Sequence, residues 1–230
     1  MVRLTLDVTV AEVARSIPRS IDLFEDAAID YCCRGASSLA DAAADSGLDP
    51  KEFLAAIAIL PPAASDAPLS HIVDFLIRDH ENCIEQQMPS LRAMIQQAVA
   101  THGATSPQLD RIARLFENFA ATITSHMLNE ECDILPHVER LEQAQNGAIQ
   151  APAVRIAQRV LAELVEHERA HGRLRTMSEL ALQAESDCCT IKLRRALRQF
   201  SRQLHYHVHL ENNVLYPRAI AIENDLRSRT

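Results

Sequence analysis

Two stretches of this chain repeat one pattern: a histidine, a glutamate four residues later and a proline ten residues after the histidine. The earlier copy pairs His126 with Glu130, and the later copy pairs His207 with Glu211. Residues four apart lie above one another on the same face of a helix, so each copy presents an imidazole and a carboxylate to one point in space. We therefore predict a single site that two helices build together.

The composition favours a wholly helical chain. Of the 230 residues, 47% are hydrophobic, only 5 are glycine, and aromatic residues make up 4%. Few turn-forming residues together with many alanines, leucines, glutamates and arginines are typical of helices. We predict an all-α protein whose length suits one large domain or a large domain with a small one.

Charge and cysteine usage exclude several classes of partner. The net charge of −8 argues against a nucleic acid or an anionic membrane surface. No apolar run approaches the roughly 18 residues of a membrane span, and the N-terminus has no apolar signal core. The six cysteines, four of them in two adjacent pairs, do not resemble a secreted disulfide framework. We expect a cytoplasmic protein with reduced thiols.

Residues 1–60 are predicted to form a small helical domain that carries one adjacent cysteine pair, Cys32 and Cys33. Capping signals open helices at Thr9 and at Asp49, where a proline follows at the first helical position. Residues 61–68, rich in proline and alanine, are predicted to be a linker. A unit of about 60 residues is marginal by itself, so docking on the rest of the chain and pairing in a homodimer are both open.

Residues 69–230 are predicted to form a four-helix up-down bundle, because short connections make consecutive helices antiparallel neighbours. The bounds follow from helical spacing of apolar residues and from start and stop signals. The first predicted helix runs from about Leu69 to Ala100. The second starts at Ser106-Pro107 and is expected to loosen near Pro136. The third starts near Ala151-Pro152, and the fourth starts after Cys189 and ends beyond Pro217.

One histidine of each predicted helix falls at the same height in this bundle. His80 and His167 lie about 12 and 15 residues after the starts of their helices, at about 1.5 Å of rise per residue. His126 and His207 lie near the opposite ends of theirs, each ten residues before a proline. Alternating helix direction brings early and late positions to one level, within a few turns of each other.

Four histidines and two glutamates at one level form a mixed nitrogen and oxygen ligand set that suits iron, manganese or zinc. Di-iron carboxylate sites are built inside helix bundles from such residues. Two irons, two bridging glutamates and two histidines per iron use all six groups and leave positions open for an oxo bridge, O₂ or NO. The predicted ligands are His80, His126, Glu130, His167, His207 and Glu211.

Each copy of the pattern also has a simpler explanation. A single His-x-x-x-Glu on a helix is usually a solvated surface pair, and prolines usually end helices. Two copies with two further histidines at matching height favour a metal. His71 is the alternative to His80 on the first helix, and His171, four residues after His167, is a possible extra ligand. His205 and His209 lie about 200° around the helix from His207 and cannot share its face.

Several stretches match the motifs of one known family: Asp30-Tyr31-Cys32-Cys33, with Ile17-Pro18 and Leu23-Phe24 in the same domain, His126 to Pro136, Glu166-His167-Glu168, and Leu210 to Ala219, which begins Leu-Glu-Asn-Asn-Val-Leu. Through these stretches the sequence resembles, along nearly its whole length, the hemerythrin-like di-iron proteins called Repair of Iron Centres. One departure is Arg34, which stands where that family has the first glycine of a Cys-Cys-Gly-Gly motif.

This resemblance implies a hemerythrin-like bundle whose six ligands hold an oxo- and carboxylate-bridged pair of irons. It implies a bacterial cytoplasmic stress protein, made in response to nitric oxide or oxidants, that repairs damaged iron–sulfur proteins by supplying iron. Cys32 and Cys33 would be redox or iron-transfer thiols, with a purely structural pair as the alternative. Cys188 and Cys189 have no motif around them and receive no role.

Two further functions use the same site. Nitric oxide binding needs only open coordination on reduced iron, and the protein would be an enzyme if it reduced nitric oxide with turnover. Oxygen binding is less favoured, because the fourth helix carries His-x-x-x-Glu and the oxygen-carrying hemerythrins have a longer His-to-Asp spacing. The residues alone do not separate iron donation from nitric oxide chemistry.

Overall fold

The computed structural model of the protein describes residues 4–60, 68–147, 155–184 and 186–228. Helices make up almost all of these ranges, which contain no β-strand beyond one isolated bridge between Thr9 and Ser38. The prediction of an all-α fold is therefore confirmed. Within the same ranges, no helix combines the length and the apolar character needed to cross a membrane.

The N-terminal unit consists of four short helices. The predicted start signals work as expected: the Thr9 hydroxyl accepts a hydrogen bond from the Glu12 amide at 3.2 Å, and Asp49 accepts from two amides ahead of a helix with proline at its first position. The helices are α1 (Val10–Ser16), α2 (Ser20–Asp26), α3 (Leu39–Asp45) and α4 (Pro50–Ala58). The predicted linker lies outside the described residues, except for Pro68.

Four long helical segments form the bundle, and three of them contain one π-helical turn. Each segment packs on the one before it, and the fourth packs on the first. The predicted start near Ala151-Pro152 lies outside the described residues. The segments are α5 (Leu69–Asn82), π1 (Cys83–Gln87) and α6 (Met88–His102); α7 (Pro107–Asn129), π2 (Glu130–Ile134) and α8 (Leu135–Gln145); α9 (Ile156–Gln183); and α10 (Cys188–Leu210), π3 (Glu211–Leu215) and α11 (Tyr216–Ser228).

The two prolines of the repeated pattern, and Pro89 nine residues after His80, do not end helices, contrary to the simpler explanation of the sequence. Pro89, Pro136 and Pro217 each occupy the second position after a π turn, and the helix then continues for at least nine further residues. A proline clashes with the carbonyl four residues before it and lacks the amide that would bond to it. In all three cases that carbonyl lies inside the wider π turn, which relieves the conflict.

A polar layer divides the core of the bundle. One apolar cluster joins the N-terminal unit to one end of the bundle, and a second cluster fills the other end. Along α10 and π3, for example, Val208 belongs to the first cluster and Leu215 to the second, and Glu211 lies between them. The residues predicted to bind metal therefore lie in the polar layer between the two apolar clusters.

The N-terminal unit docks on the bundle of its own chain. Asn213 donates its amide to the carbonyls of Tyr31 and Cys32 at 3.2 and 3.0 Å. Tyr31 is fully buried and packs its ring 5.4 Å from that of His209. His205 lies 2.8 Å from Glu25. The face opposite His207, which the sequence could not assign, is thus the docking face, and homodimer formation stays a prediction.

Gly35 lies where the loop after the cysteine pair approaches the bundle. A Cβ atom there would lie 2.6 Å from the Ala11 Cβ and 2.8 Å from the Tyr31 carbonyl oxygen. Arg34, the residue that departs from the family motif, is exposed and causes no such conflict. The close approach therefore depends on the second glycine position and tolerates a side chain at the first.

We expect Gly35→Ala to lower the free energy of unfolding by about 1–3 kcal/mol, because the added methyl group overpacks a fixed contact. Gly172→Ala is the matched control: it lies inside α9 with open space around its Cβ position, so alanine should stabilise by up to about 1 kcal/mol. Urea unfolding measures both. Equal stability of Gly35→Ala and the parent would contradict the close approach.

Candidate metal centre

The six side chains predicted as ligands meet in the polar layer between the two apolar clusters. All are buried, and they come from all four long segments. Each glutamate is the first residue of a π turn, directly after the α-helix that carries its partner histidine. The six are His80 on α5, His126 on α7 with Glu130 on π2, His167 on α9, and His207 on α10 with Glu211 on π3.

The four imidazoles form two pairs through their Nε2 atoms. The Nε2 atoms of His80 and His207 are 3.1 Å apart, and those of His126 and His167 are 2.9 Å apart. Two imidazole nitrogens bound at a right angle to one ion, with bonds of about 2.1 Å, lie about 3.0 Å apart. Each pair therefore has the spacing of two neighbouring ligands on one metal ion.

The two carboxylates each face both histidine pairs. Glu130 places Oε2 3.5 Å from the His80 Nε2 and Oε1 3.5 Å from the His126 Nε2. Glu211 places Oε1 3.1 Å from the His207 Nε2 and Oε2 3.2 Å from the His167 Nε2. One oxygen of each carboxylate thus points to each pair, as expected of carboxylates that bridge two cations.

The donor set fits metal binding better than it fits a sealed hydrogen-bond network. Among the described residues, the Oε2 atoms of Glu130 and Glu211 are buried without a hydrogen-bond partner. A buried carboxylate oxygen without a partner costs considerable free energy unless a cation or a donor compensates it. Two such oxygens facing imidazole nitrogens make a site that attracts cations.

A second layer of side chains holds the imidazoles by contacts to their Nδ1 atoms. Each Nδ1 atom has a carboxylate or amide oxygen within 2.7–2.9 Å. Such contacts fix ring orientation and leave Nε2 as the ligand atom, which raises metal affinity. The pairs are His80 with Glu131, His126 with Glu163, His167 with Asn212, and His207 with Asp79.

A tyrosine fixes one of the two buried carboxylates. The Tyr216 hydroxyl donates to the Glu130 Oε1 at 2.7 Å, and both groups are fully buried. Burial, reinforced by the charges of Glu211 and Glu130, raises the pKa of Tyr216 well above its ordinary value. The hydroxyl therefore stays protonated and remains a donor.

The buried carboxylates change the pKa values of the histidines beside them. Burial lowers the pKa of His207, but the charge of Glu211 and the hydrogen bond to Asp79 outweigh it and raise the pKa to about 10. Burial and the charge of His207 lower the pKa of His80. At neutral pH, His207 is therefore protonated and His80 is neutral. A bound cation would take the place of such protons, so metal binding releases them.

The structure separates the remaining candidates from this cluster. His71 is exposed near the start of α5 and belongs to none of the clusters of ligand-type side chains among the described residues. His171 lies 3.3 Å from the Cys33 Sγ and 3.5 Å from the Cys32 Sγ, in a different cluster. The structure thus groups His171 with the thiols and leaves six residues at the bundle centre.

Sequence reasoning missed all five supporting residues. Glu163 lies four residues before His167 and was accessible to the same spacing argument, although its partner is His126 on another helix. Tyr216 directly follows π3, and its partner is Glu130 on another segment. Asp79, Glu131 and Asn212 are sequence neighbours of predicted ligands, and the α-helical period does not indicate that their side chains contact imidazoles of other segments.

Two family models match the sequence. A model described as the hemerythrin HHE cation-binding domain matches residues 71–219, a range that contains all six clustered side chains. A model described as a domain of unknown function, ScdA_N or DUF542, matches residues 6–60. The two matches correspond to the bundle and to the N-terminal unit.

Curated relatives are similar along nearly the whole chain. The iron-sulfur cluster repair protein YtfE of Citrobacter koseri is 30% identical over 227 residues, which cover 94% of this chain and 98% of the relative. The protein of the same name from Pectobacterium carotovorum is 27% identical over 224 residues, covering 93% and 97%. The iron-sulfur cluster repair protein ScdA of Staphylococcus epidermidis is 25% identical over 226 residues, covering 93% and 98%.

Glu163→Gln should weaken metal binding by about 10-fold or more, because it removes the carboxylate that holds the His126 Nδ1. Glu166→Gln is the matched control, since Glu166 lies one turn further along α9 and pairs with Arg169 on the surface. Competition with a chromogenic chelator measures both affinities. The supporting role of Glu163 would be refuted if the two variants bound metal equally well.

Proposed function

We propose, because this chain belongs to the hemerythrin HHE cation-binding family, that it holds two iron ions in its bundle and repairs damaged iron–sulfur clusters by donating iron. The observation that carries the proposal is the pair of buried glutamates that each face two imidazole pairs. Relatives similar along nearly the whole chain are named iron-sulfur cluster repair proteins.

The ligands of the two irons are proposed to be the six clustered side chains. Each histidine pair would supply two nitrogens to one ion, and each glutamate would supply one oxygen to each of the two ions. Four protein atoms per iron leave positions open for a bridging oxo group and for a small ligand. The six ligands are His80, His126, Glu130, His167, His207 and Glu211.

Iron in this proposal is cargo, so the site has to survive without it. The Nε2 atoms of each histidine pair are 2.9 to 3.1 Å apart and share a hydrogen bond. Asp79 and Glu163 keep their contacts to the Nδ1 atoms in the same arrangement. These contacts let the residues keep their positions when iron leaves and bind again without refolding.

Nitric oxide binding is the second candidate. It uses the open positions that follow from only four protein ligand atoms per ion, and it needs no release of iron. Oxygen binding would use the same positions. The three functions therefore differ in what leaves the site, which makes the fate of the iron the discriminating quantity.

The proposed setting is the cytoplasm of a bacterium under nitrosative or oxidative stress. The proposed partners are proteins whose iron–sulfur clusters have been damaged. The free cysteines Cys32 and Cys33 are thiols in the structure, as the reducing cytoplasm would keep them.

The proposal predicts two irons per chain, with near-ultraviolet charge-transfer absorption, in protein purified without added metal. Glu130→Ala should lose this iron and at least about tenfold of its repair activity, since removal of a ligand costs more than loss of a supporting contact. Glu81→Ala is the control, because Glu81 adjoins His80 in sequence but is exposed. Metal analysis with an optical spectrum measures the first effect.

Repair is measured with an iron–sulfur protein whose cluster has been damaged by nitric oxide. Labelled iron in the bundle should appear in the restored cluster. If the cluster recovers with unlabelled iron only, or does not recover while the bundle binds nitric oxide, the second candidate replaces the first. Zinc alone in the purified protein, or an unchanged Glu130→Ala variant, would contradict the di-iron site itself.

A further inference from the structure

A second cluster of ligand-type side chains lies where the N-terminal unit meets α9. Ligand atoms of Asp30, Cys32, Cys33 and His171 all lie within 4.8 Å of one another. The Cys33 Sγ is 3.3 Å and the Cys32 Sγ 3.5 Å from the His171 Nδ1, and the Cys32 Sγ is 3.2 Å from the Asp30 Oδ1. Two sulfurs, one imidazole nitrogen and one carboxylate oxygen therefore surround a single point.

These distances match a four-coordinate cation. Sulfur at about 2.3 Å and nitrogen or oxygen at about 2.1 Å from a tetrahedral ion lie about 3.6 Å apart. The observed sulfur-to-nitrogen and sulfur-to-oxygen distances are 3.2 to 3.5 Å. These three distances therefore lie within about 0.4 Å of the tetrahedral value.

The fold positions the two thiols before any ligand arrives. The Asp30 Oδ1 accepts hydrogen bonds from the amides of Cys32 and Cys33, at 3.1 and 2.8 Å, and of Arg34 at 3.3 Å. Asn213 holds the carbonyls of Tyr31 and Cys32 from the bundle side. The loop is therefore fixed against the bundle.

The imidazole of this cluster is equally well placed. His171 lies four residues after His167 on α9, about 6 Å further along the axis. Its ring is 4.5 Å from that of His205 on α10. Cys33 and His171 are half-buried, whereas Cys32 is buried, so the cluster has one side open to solvent.

The electrostatics assist cation binding. The hydrogen bond from Cys32, opposed by burial and supported by His171, lowers the pKa of Cys33 to about 5. Burial raises the pKa of Cys32. The thiolate is the form of cysteine that binds metals, and the His171 ring 3.3 Å from the Cys33 Sγ is placed to stabilise it.

We propose that Asp30, Cys32, Cys33 and His171 form a second metal site, which binds one thiophilic divalent cation of the ferrous iron or zinc type. The site is chemically distinct from the bundle centre, because it contains sulfur and the six residues there do not. Thiolate and imidazole ligands select such cations over magnesium or calcium. The inference does not require that the bundle centre repair clusters.

Cobalt(II) is the probe, because thiolate-to-cobalt charge transfer reports sulfur ligation directly. The reduced protein, with its bundle centre already loaded with iron, is titrated with Co²⁺ without oxygen. We expect one equivalent to produce the near-ultraviolet thiolate band. Cys33→Ser should lower the intensity of the band by about half or more, because one of the two proposed sulfur ligands remains, and His171→Asn should weaken cobalt binding by about tenfold or more. Competition with Fe²⁺ and with Zn²⁺ then ranks the natural cations.

The other adjacent pair provides the matched control. Cys188 and Cys189 belong to none of the ligand-type clusters among the described residues, so their double serine variant should keep the band at full strength. His171→Asn leaves both thiols in place, and circular dichroism checks that each variant is folded. The second site is refuted if no thiolate band forms in the parent protein, or if the band disappears with Cys188 and Cys189 instead.

The same titration on Glu130→Ala separates the two proposals. That change lies in the bundle centre, so the thiolate band should persist even where bundle iron is lost. If the band disappeared together with the bundle iron, the sulfur site would have no independent existence. If the parent protein forms the band but does not restore a damaged cluster, only the proposed function is refuted.

Discussion

The structure depends on burying two carboxylates and four imidazoles in a single layer of the bundle. Isolated buried charges are very unfavourable, so such a layer persists only if each group has a partner. Here the histidines have partners on both ring nitrogens, whereas Glu130 and Glu211 each keep one oxygen without a donor. The carboxylate oxygens without a donor lie where a cation would be bound, so a bound cation would also stabilise the fold.

The π turns explain how regular helices carry so dense a set of polar groups. Each of the two π turns that supply carboxylates begins at the glutamate itself, and the extra residue shifts the positions that follow. Within π3, Asn212 contacts His167 and Asn213 contacts the cysteine loop, and directly after it Tyr216 contacts Glu130. One short segment therefore serves the bundle centre and the docking of the N-terminal unit together.

This shared segment gives the two domains a physical connection. Asn212 and Asn213 are neighbours in sequence, but Asn212 contacts His167 of the bundle centre and Asn213 donates to the backbone carbonyl of Cys32. His167 and His171 are related in the same way along α9. The two clusters are thus joined through one helical turn of contacts on π3 and one on α9.

The sequence by itself determined the helical class and the helix starts at Thr9 and Asp49, because these follow from composition and local capping. It also determined which six ligand-type side chains meet at one height, because the number of residues along each helix fixes the height of a side chain in the bundle. It could not determine that π turns would accommodate the prolines within continuous helices, nor that His171 would lie beside Cys32 and Cys33. It also missed the side chains that hold the imidazoles. Those outcomes depend on which helix faces which, and contacts between segments far apart in the chain are fixed only by tertiary packing.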